Sequence, residues 1–274
     1  MMRNIAVIIT VYNRINKTLA CLDAVFSQKE KYHFFNVDVY LTDDGSTDDT
    51  LKILQTRFSK EALYILSGSG NMYWNGGMIH SWMAAIEHGG YDGYLWLNND
   101  TIILPNLWSG LQEADGYSKE KFGKGGIYVG STKDSLTGQF TYGGFDFTSK
   151  WTLKDKFLYP NGSFQLCQCA HGNVTYISHD VVDKMGILCE HYLHGGGDHD
   201  YTYLAYKAGF PLVVLKEYVG ICENDHQQGG YADFLSMSLK QRIKYLYSPL
   251  GFNLHNTLLF QKRCFPYRYP VTVR

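Results

Sequence analysis

Several features that mark other protein classes are missing from this chain of 274 residues. No apolar run approaches the ~18 residues that a membrane-spanning helix requires. The formal net charge of -1 provides no overall basic field, so we exclude nucleic acid as the main partner. The six cysteines follow no regular spacing, and the amino-terminal stretch MMRNIAVIITVYNR contains no small-residue cleavage site. We therefore expect reduced thiols, a first β-strand rather than a signal peptide, and a cytoplasmic location.

Glycine is also missing from TVYNRINKT, the stretch that follows the first apolar run. A sugar nucleotidyltransferase would carry a glycine-rich phosphate loop at this place, and a dinucleotide-dependent oxidoreductase would carry a G-x-G-x-x-G fingerprint there. The sequence therefore disfavours both classes of enzyme.

What is present is a regular alternation of strand-like and helix-like segments. Apolar runs predict strands at residues 5–10, 37–42, 62–66 and 94–97, and residues at helical spacing predict helices between them. This alternation predicts an α/β fold with a Rossmann-like, mostly parallel sheet flanked by helices.

The pattern changes beyond Pro105, where a short helix around residues 107–111 precedes glycine-rich, aromatic segments. We expect these segments to form strands and loops of a mixed subregion at the edge of the sheet. Further strands are predicted at residues 174–177 and 211–215, and further helices at residues 179–184 and 198–208. The predicted organisation is one domain over residues 1–230, with halves 1–104 and 105–230, and a carboxyl-terminal extension over residues 231–274.

The segment YLWLNNDTIILP places Asn98, Asn99 and Asp100 directly after a buried strand. Ligands of open α/β sheets bind outside the carboxyl ends of the strands, although Asn and Asp are also common in ordinary turns. Asp100 offers the hard oxygen that Mn²⁺ or Mg²⁺ prefers. His226, in a polar loop after the last strand, is a second candidate metal ligand.

A second acidic motif, DDGSTDDT, follows the second strand. Asp44 there can accept the imide N–H of a uracil or thymine ring, or the motif can simply cap the next helix. Thr10 and Tyr12, at the end of the neighbouring strand, are the predicted walls of a base pocket.

The third motif, GGGDHDY, places Asp198 at the start of a predicted helix. Asp198 can act as a general base toward an incoming hydroxyl, or it can be there because a helix N-terminus favours acidic residues. His199 and Asp200 lie beside it, and Asp200 either orients the loop or contacts the acceptor. Trp151 is a candidate sugar-stacking surface, with buried packing as the alternative.

Together, VIITVYNR, DDGSTDDT, LWLNNDT and GGGDHDY resemble, in their order and separation, the motifs of inverting family 2 glycosyltransferases with the GT-A fold. The resemblance extends over about residues 5–226. It implies that Asp44 contacts the base, that Asp100 binds the metal and diphosphate, and that Asp198 is the catalytic base. It also implies nucleotide contacts from the loop before the fourth strand, which carries Asn71, Trp74 and Asn75. We place Asn98 and Asn99, which share a motif with Asp100, among the donor-binding residues.

The resemblance implies transfer of a sugar from a UDP- or dTDP-sugar to a hydroxyl of a glycan or lipid-linked acceptor, in the synthesis of a bacterial surface polysaccharide or glycoconjugate. Two positions depart from the family pattern: Asn99 stands where a carboxylate is common, and Gly197 stands where Glu is frequent. These departures leave open a non-catalytic nucleotide-sugar or glycan-binding protein on the same fold.

The extension has no acidic residue after Asp233, yet it carries seven Lys and Arg residues interleaved with aromatic and aliphatic ones. Such a segment can rest on an acidic membrane surface. We expect peripheral contact of residues 234–274 with the inner face of the plasma membrane. The alternatives are packing on the catalytic domain and burial in a homodimer.

Overall fold

The computed structural model describes residues 3–31, 35–223 and 231–272. Its main sheet begins with four parallel strands: β1 (Asn4–Val11), β2 (Asn36–Asp43), β3 (Leu63–Ser67) and β4 (Gly93–Leu97). The interiors of β1 and β4 are almost wholly buried because helices cover both faces of the sheet. All four strands were predicted within one or two residues.

The second half of the sheet is mixed. It contains β5 (Ile102–Ile103), β6 (Ile127–Lys133), β9 (Gln165–Leu166), β11 (Val174–Ser178) and β12 (Leu212–Ile221). The strand order is β3-β2-β1-β4-β11-β6-β12-β5, and β9 pairs with β12. Strand β11 runs antiparallel to both of its neighbours, whereas β12 is parallel to β6. The predicted α/β class with a mostly parallel sheet is confirmed.

A smaller sheet of three strands lies beside this mixed half. It is formed by β7 (Gly144–Ser149), β8 (Lys154–Phe157) and β10 (Cys169–Ala170), in the order β10-β7-β8. The sulfur atoms of Cys167 and Cys169 belong to different apolar clusters, and all six cysteines are free thiols.

Six helices connect the strands: α1 (Ile15–Lys31), α2 (Thr50–Arg57), α3 (Tyr73–His88), α4 (Leu107–Phe122), α5 (His179–Met185) and α6 (Gly197–Lys207). Helix α4 is 16 residues long, whereas the sequence predicted a short helix that ends near residue 111. Its buried side chains recur at helical spacing well beyond that point, so packing on the sheet outweighs the helix-weakening Gly110 and Gly116.

The carboxyl-terminal extension consists of α7 (Tyr231–Ser236), α8 (Leu239–Tyr247), α9 (Leu254–Cys264) and α10 (Tyr269–Thr272). Cys264 and Phe265, at the end of α9, are buried in an apolar cluster with Phe145 and Tyr203. Helix α8, in contrast, has no buried residue. No helix in the described part of the chain is long and apolar enough to cross a membrane.

Candidate active site

One edge of the main sheet collects the loops that carry the acidic motifs. The carboxyl ends of β1, β2, β3 and β4 meet there because these strands are parallel. Strand β11 runs the opposite way, so its amino end lies beside the carboxyl end of β4, with Val174 opposite Leu97. The backbone N–H of Asn98 donates to the carbonyl of Asn173 (3.1 Å) and extends this pairing into the loops.

Asp44 is buried and binds backbone rather than facing open space. One carboxylate oxygen accepts the N–H of Gly70 (2.8 Å), and the other accepts those of Met72 (2.8 Å) and Tyr73 (2.9 Å). The carboxylate therefore fixes the loop between β3 and α3, in which Tyr73 has a left-handed φ of 53°. Its predicted contact with a nucleotide base stays a prediction.

The other predicted walls of the base pocket lie in different environments. The side chain of Thr10 packs against α3, since a Cβ atom added to Gly77 would lie 2.0 Å from its hydroxyl oxygen. Tyr12 and Asn71 are exposed at the loop edge. Tyr12 and Asn71 are therefore accessible to a ligand, whereas Thr10 is largely covered by the helix.

Trp74 links the β3–α3 loop to the end of β4. Its indole N–H donates to the side-chain carbonyl of Asn98 (2.8 Å). A Cβ atom added to Gly172 would lie 2.7 Å from the Trp74 ring and 3.3 Å from Cβ of Asp198. The glycine at this position therefore lets the indole and the candidate base approach the same stretch of backbone.

Asn75 is not a donor-binding residue in this structure, contrary to the prediction. Its side chain is fully buried and donates to the carbonyls of Cys189 (2.9 Å) and Tyr192 (3.0 Å). A Cβ atom on Gly197 would lie only 2.0 Å from its amide oxygen. The glycine that departs from the family pattern is therefore required by the side chain packed against it.

Asn99 is partly buried and bonds to a neighbouring helix. Its amide group donates to the hydroxyl of Thr18 in α1 (2.9 Å). The residue before Asp100 therefore holds the loop to a helix, and its contact with the donor stays a prediction.

Asp100 is the carboxylate at the end of β4, and its side chain is 17% exposed. One of its oxygens lies 3.3 Å from a guanidinium nitrogen of Arg14, and the other lies 3.8 Å from the thiol of Cys222, which donates to it. Burial raises the pKa of Cys222 to about 12, so the thiol keeps its proton. The Asp100 side chain thus offers accessible hard oxygen.

The side chains around Asp100 determine whether a divalent cation fits there. Among residues 3–31, 35–223 and 231–272, no three His, Cys, Asp or Glu side chains cluster closely enough to hold a metal ion. A single carboxylate fits Mn²⁺ or Mg²⁺ where substrate phosphates and water complete the coordination. Asp100 fits that role, whereas His226 lies outside the described residues.

Asp198 occupies the first turn of α6, and its side chain is 16% exposed. One of its carboxylate oxygens accepts the backbone N–H of Gly172 (2.9 Å), and the other accepts that of His199 (2.9 Å). The imidazole of His199 lies 3.9 Å from the first of these oxygens. The carboxylate is thus oriented by two backbone donors while remaining partly accessible.

Asp100 and Asp198 are joined through the dipeptide that precedes β11. Gly172 donates to Asp198, and the side chain of Asn173 lies 3.6 Å from the thiol of Cys222, which itself contacts Asp100. This chain of contacts places both carboxylates at the same edge of the sheet. Neither is sealed beneath packed side chains.

The predicted acceptor-side residues are dispersed. Asp200 is 1% exposed and pairs with Arg263, so it holds the structure together instead of contacting an acceptor. Trp151 is exposed, but its ring packs on Tyr267 of the extension (5.2 Å between centroids). Of the three predicted residues, only His199 lies beside Asp198.

Sequence reasoning missed Arg14, Gly172 and Cys222. Arg14 follows the end of β1 and has a left-handed φ of 62°, which no sequence pattern indicated. The sequence did contain one signal for Arg14: it follows β1, and β1 ends at the same edge of the sheet as β4. Gly172 and Cys222 gave no signal, since both act through neighbours distant in sequence.

The solved structures that resemble almost the whole chain include three glycosyltransferase structures. The mannosyltransferase PcManGT from Pyrobaculum calidifontis, in complex with GDP-Man and Mn²⁺, aligns with a TM-score of 0.56 at 14% identity, over 98% of this chain and 72% of its own. S. aureus TarS 1-349 in complex with UDP-GlcNAc aligns with a TM-score of 0.59 at 14% identity, over 97% of this chain and 73% of its own. GalNAc-T7 with UDP, GalNAc and Mn²⁺ aligns with a TM-score of 0.61 at 13% identity, over 96% of this chain and 54% of its own.

These likenesses define the architecture as the GT-A fold of glycosyltransferases. The model of the family described as glycosyl transferase family 2 matches residues 6–177, which is more than half of the chain. The chain belongs to this family. No curated protein sequence matches it significantly.

We predict a pH-dependent contribution of His171 to stability. Burial, and then the neighbouring His199, lower the pKa of His171 to about 4. Between pH 6.5 and 4 the unfolded chain takes up a proton that folded His171 does not, so stability contributed by the neutral side chain falls as pH decreases through this window. In urea unfolding, the stability advantage of wild type over His171→Gln should shrink by about 2 kcal/mol between pH 7 and pH 4.5. A constant advantage at both pH values would contradict this prediction.

Proposed function

We propose that this protein transfers a sugar from a nucleotide-diphosphate donor, a UDP- or dTDP-sugar, to a hydroxyl of a glycan or lipid-linked acceptor. The observation that carries the proposal is the convergence of Asp100 and Asp198 on one edge of the sheet through Gly172 and Asn173. The donor proposal is also supported by the nucleotide-sugar complexes of PcManGT and TarS, which share the fold.

The proposed reaction is a single displacement with inversion at the anomeric carbon. Asp198 removes the proton of the acceptor hydroxyl as its oxygen attacks the anomeric carbon, and the bond from that carbon to the diphosphate oxygen breaks. The amides of Gly172 and His199 hold the carboxylate in a fixed orientation for this step. The products are the glycosylated acceptor and the nucleoside diphosphate.

Charge develops on the departing diphosphate, and two groups of the site can oppose it. Asp100 would hold Mn²⁺ or Mg²⁺, which supplies Lewis-acid stabilisation worth several kcal/mol. Arg14 brings a permanently charged guanidinium to the same carboxylate (3.3 Å). It provides a cation at this edge of the sheet.

The competing proposal is a non-catalytic nucleotide-sugar or glycan-binding protein. It rested on Gly197 and Asn99. Gly197 no longer supports it, because Asn75 occupies the space of any side chain there. Asn99 remains a neutral residue beside Asp100, and only turnover measurements distinguish the two functions.

We predict that Asp198→Asn lowers the turnover of nucleotide-sugar hydrolysis by about 100-fold or more, because removing a general base typically costs 10²–10⁴-fold. The assay is a panel of UDP- and dTDP-sugars with Mn²⁺, in which water replaces the acceptor. Nucleotide affinity, measured by calorimetry, should stay within about twofold. Asp183→Asn, in an exposed position on α5, is the matched control. Equal hydrolysis rates for wild type and Asp198→Asn would favour the non-catalytic nucleotide-sugar or glycan-binding protein.

A separate prediction concerns the cation. Asp100→Asn should weaken binding of Mn²⁺ in the presence of the nucleotide by about tenfold or more, because it removes the charged ligand. Electron paramagnetic resonance of free Mn²⁺ measures this binding independently of turnover. Unchanged Mn²⁺ binding in this variant would rule out Asp100 as the ligand.

Peripheral contact with an anionic membrane is the proposed role of α8. Its exposed side chains Leu239 (75%), Ile243 (52%) and Tyr247 (64%) recur every four residues and so share one face, and Lys240 and Lys244 follow two of them. The absence of any acidic residue after Asp233 favours anionic lipid as the partner of this apolar face. We therefore propose that the protein acts at the inner face of the plasma membrane.

We predict that the double variant Leu239→Ser/Ile243→Ser loses most of the binding to anionic vesicles that wild type shows at low salt. Point variants are preferable to removal of residues 234–274, because that deletion would also remove the buried Phe265. Leu136→Ser, which replaces an exposed leucine far from α8 in sequence, is the control. Sedimentation with vesicles measures the binding. Equal binding by both variants would exclude α8, and a wild-type dimer disrupted by the double variant would favour the homodimer instead.

A further inference from the structure

The loop that leads into α6 bonds to helices on two sides of it. It covers residues 189–196, contains Gly195 and Gly196, and ends two residues before the proposed base Asp198. Gly196 has a left-handed φ of 89°, which favours glycine. Within the loop, the N–H of Tyr192 donates a long hydrogen bond to the carbonyl of Cys189 (3.4 Å). The loop therefore depends on other parts of the chain for its position.

Helix α9 of the extension makes several polar contacts with this region, and the thiol of Cys264 is one of the groups that donate to Asp200 (3.5 Å). The buried side-chain amide of Asn256 donates to the carbonyl of Gly195 (2.7 Å). The guanidinium Nε of Arg263 lies 2.9 and 3.1 Å from the two carboxylate oxygens of Asp200. Asn256 and Arg263 are seven residues apart, which is two helical turns, so they lie on the same face of α9.

Asp200 connects these contacts to the rest of the loop. It accepts the hydroxyl of Tyr192 (3.1 Å), and its backbone N–H donates to the carbonyl of Gly196 (2.9 Å). The bond to Asp200 raises the pKa of Arg263 above its ordinary value, so the guanidinium stays charged. A buried carboxylate that loses its cationic partner is strongly unfavourable, so removing Arg263 should make Asp200 shift its position or its environment.

The opposite side of the loop is held by α3. Asn75 donates to the carbonyls of Cys189 and Tyr192, while Trp74 beside it packs near Asp198 and bonds to Asn98. The loop is thus held between the donor-side helix and the carboxyl-terminal extension. The extension also supplies a charge, that of Arg263, to Asp200 in the first turn of α6.

We propose that Arg263 and Asn256 are positioning residues, through which α9 holds the loop and the first turn of α6 so that Asp198 stays on the amide of Gly172. The inference rests on the proposed role of Asp198. It adds that the extension is part of the active site's framework. The family match ends at residue 177, so it includes neither the loop nor α9.

The positioning contacts can be separated from the folding of α9. The helix is anchored by Phe265, whose ring stacks on Tyr203 (4.7 Å between centroids), and by the burial of Cys264. This apolar anchor remains when Arg263 is replaced. Loss of the ion pair should therefore disturb α6 and its loop more than it disturbs α9.

The test uses the full chain, nucleotide-sugar hydrolysis with Mn²⁺, and hydrogen–deuterium exchange of residues 189–200. Arg263→Gln should lower kcat by about 10- to 100-fold with the donor KM within about twofold, because small displacements of a reacting group cost up to ~100-fold. It should also speed exchange in the loop. Arg263→Lys, which restores the charge next to Asp200, should recover kcat to within about threefold of wild type.

Lys262→Gln is the matched control, since Lys262 is an exposed neighbour on the same helix and the variant removes the same charge. Asn256→Ala is the second variant if Arg263→Gln does not fold, because it removes the Gly195 contact without leaving a buried charge unpaired. Wild-type kcat and exchange in both Arg263→Gln and Asn256→Ala would overturn the inference, as would a loss equal to that of Lys262→Gln. If Asp198→Asn itself keeps wild-type turnover, the proposed function fails instead.

Discussion

The antiparallel pairing of β11 with β4 is the constraint on which the candidate site depends. It brings the amino end of β11 to the carboxyl end of β4, so that Gly172 and Asn173 lie next to Asn98. The amide of Gly172 is then available to Asp198. In a fully parallel sheet the residues before β11 would lie at the opposite edge, and the two carboxylates would be separated by the length of the strands.

Many polar residues of the motifs support the backbone around the site. Asp44 binds three amides of the β3–α3 loop, Asn75 binds two carbonyls before α6, and Asn99 binds α1. Buried polar groups need such partners, because an unpaired one costs about 1–3 kcal/mol. The conformations of the loops are therefore fixed by motif residues, while Asp100 and Asp198 keep partial access to solvent.

The carboxyl-terminal extension divides into two parts with different surroundings. Helix α9 and Phe265 pack on the small sheet and α6, where they bury aromatic surface against Tyr203. Helix α8 buries none of its side chains. The composition of the extension is similar throughout, so its basic and aromatic character did not distinguish the packed part from the exposed part.

The sequence by itself determined the strands of the first half, because runs of β-branched residues can be buried on both faces only in the middle of a sheet. It also determined that Asp100 follows a buried strand and that Asp198 begins a helix, since both positions are local properties. It did not determine the length of α4, which depends on the surface that the sheet offers to that helix. Nor did it determine which motif residues are buried.

The structural roles of Asn75, Gly197 and Asp200 were decided by the tertiary structure alone. Asn75 looked like a ligand contact, yet its amide is used by a loop more than 110 residues away in sequence. Gly197 looked like a lost functional residue, yet it is required by that same amide. Asp200 could orient the loop or contact an acceptor, and it is buried and paired with Arg263. Each outcome depends on a partner brought close by folding, and such a partner leaves no trace in the local pattern of residues.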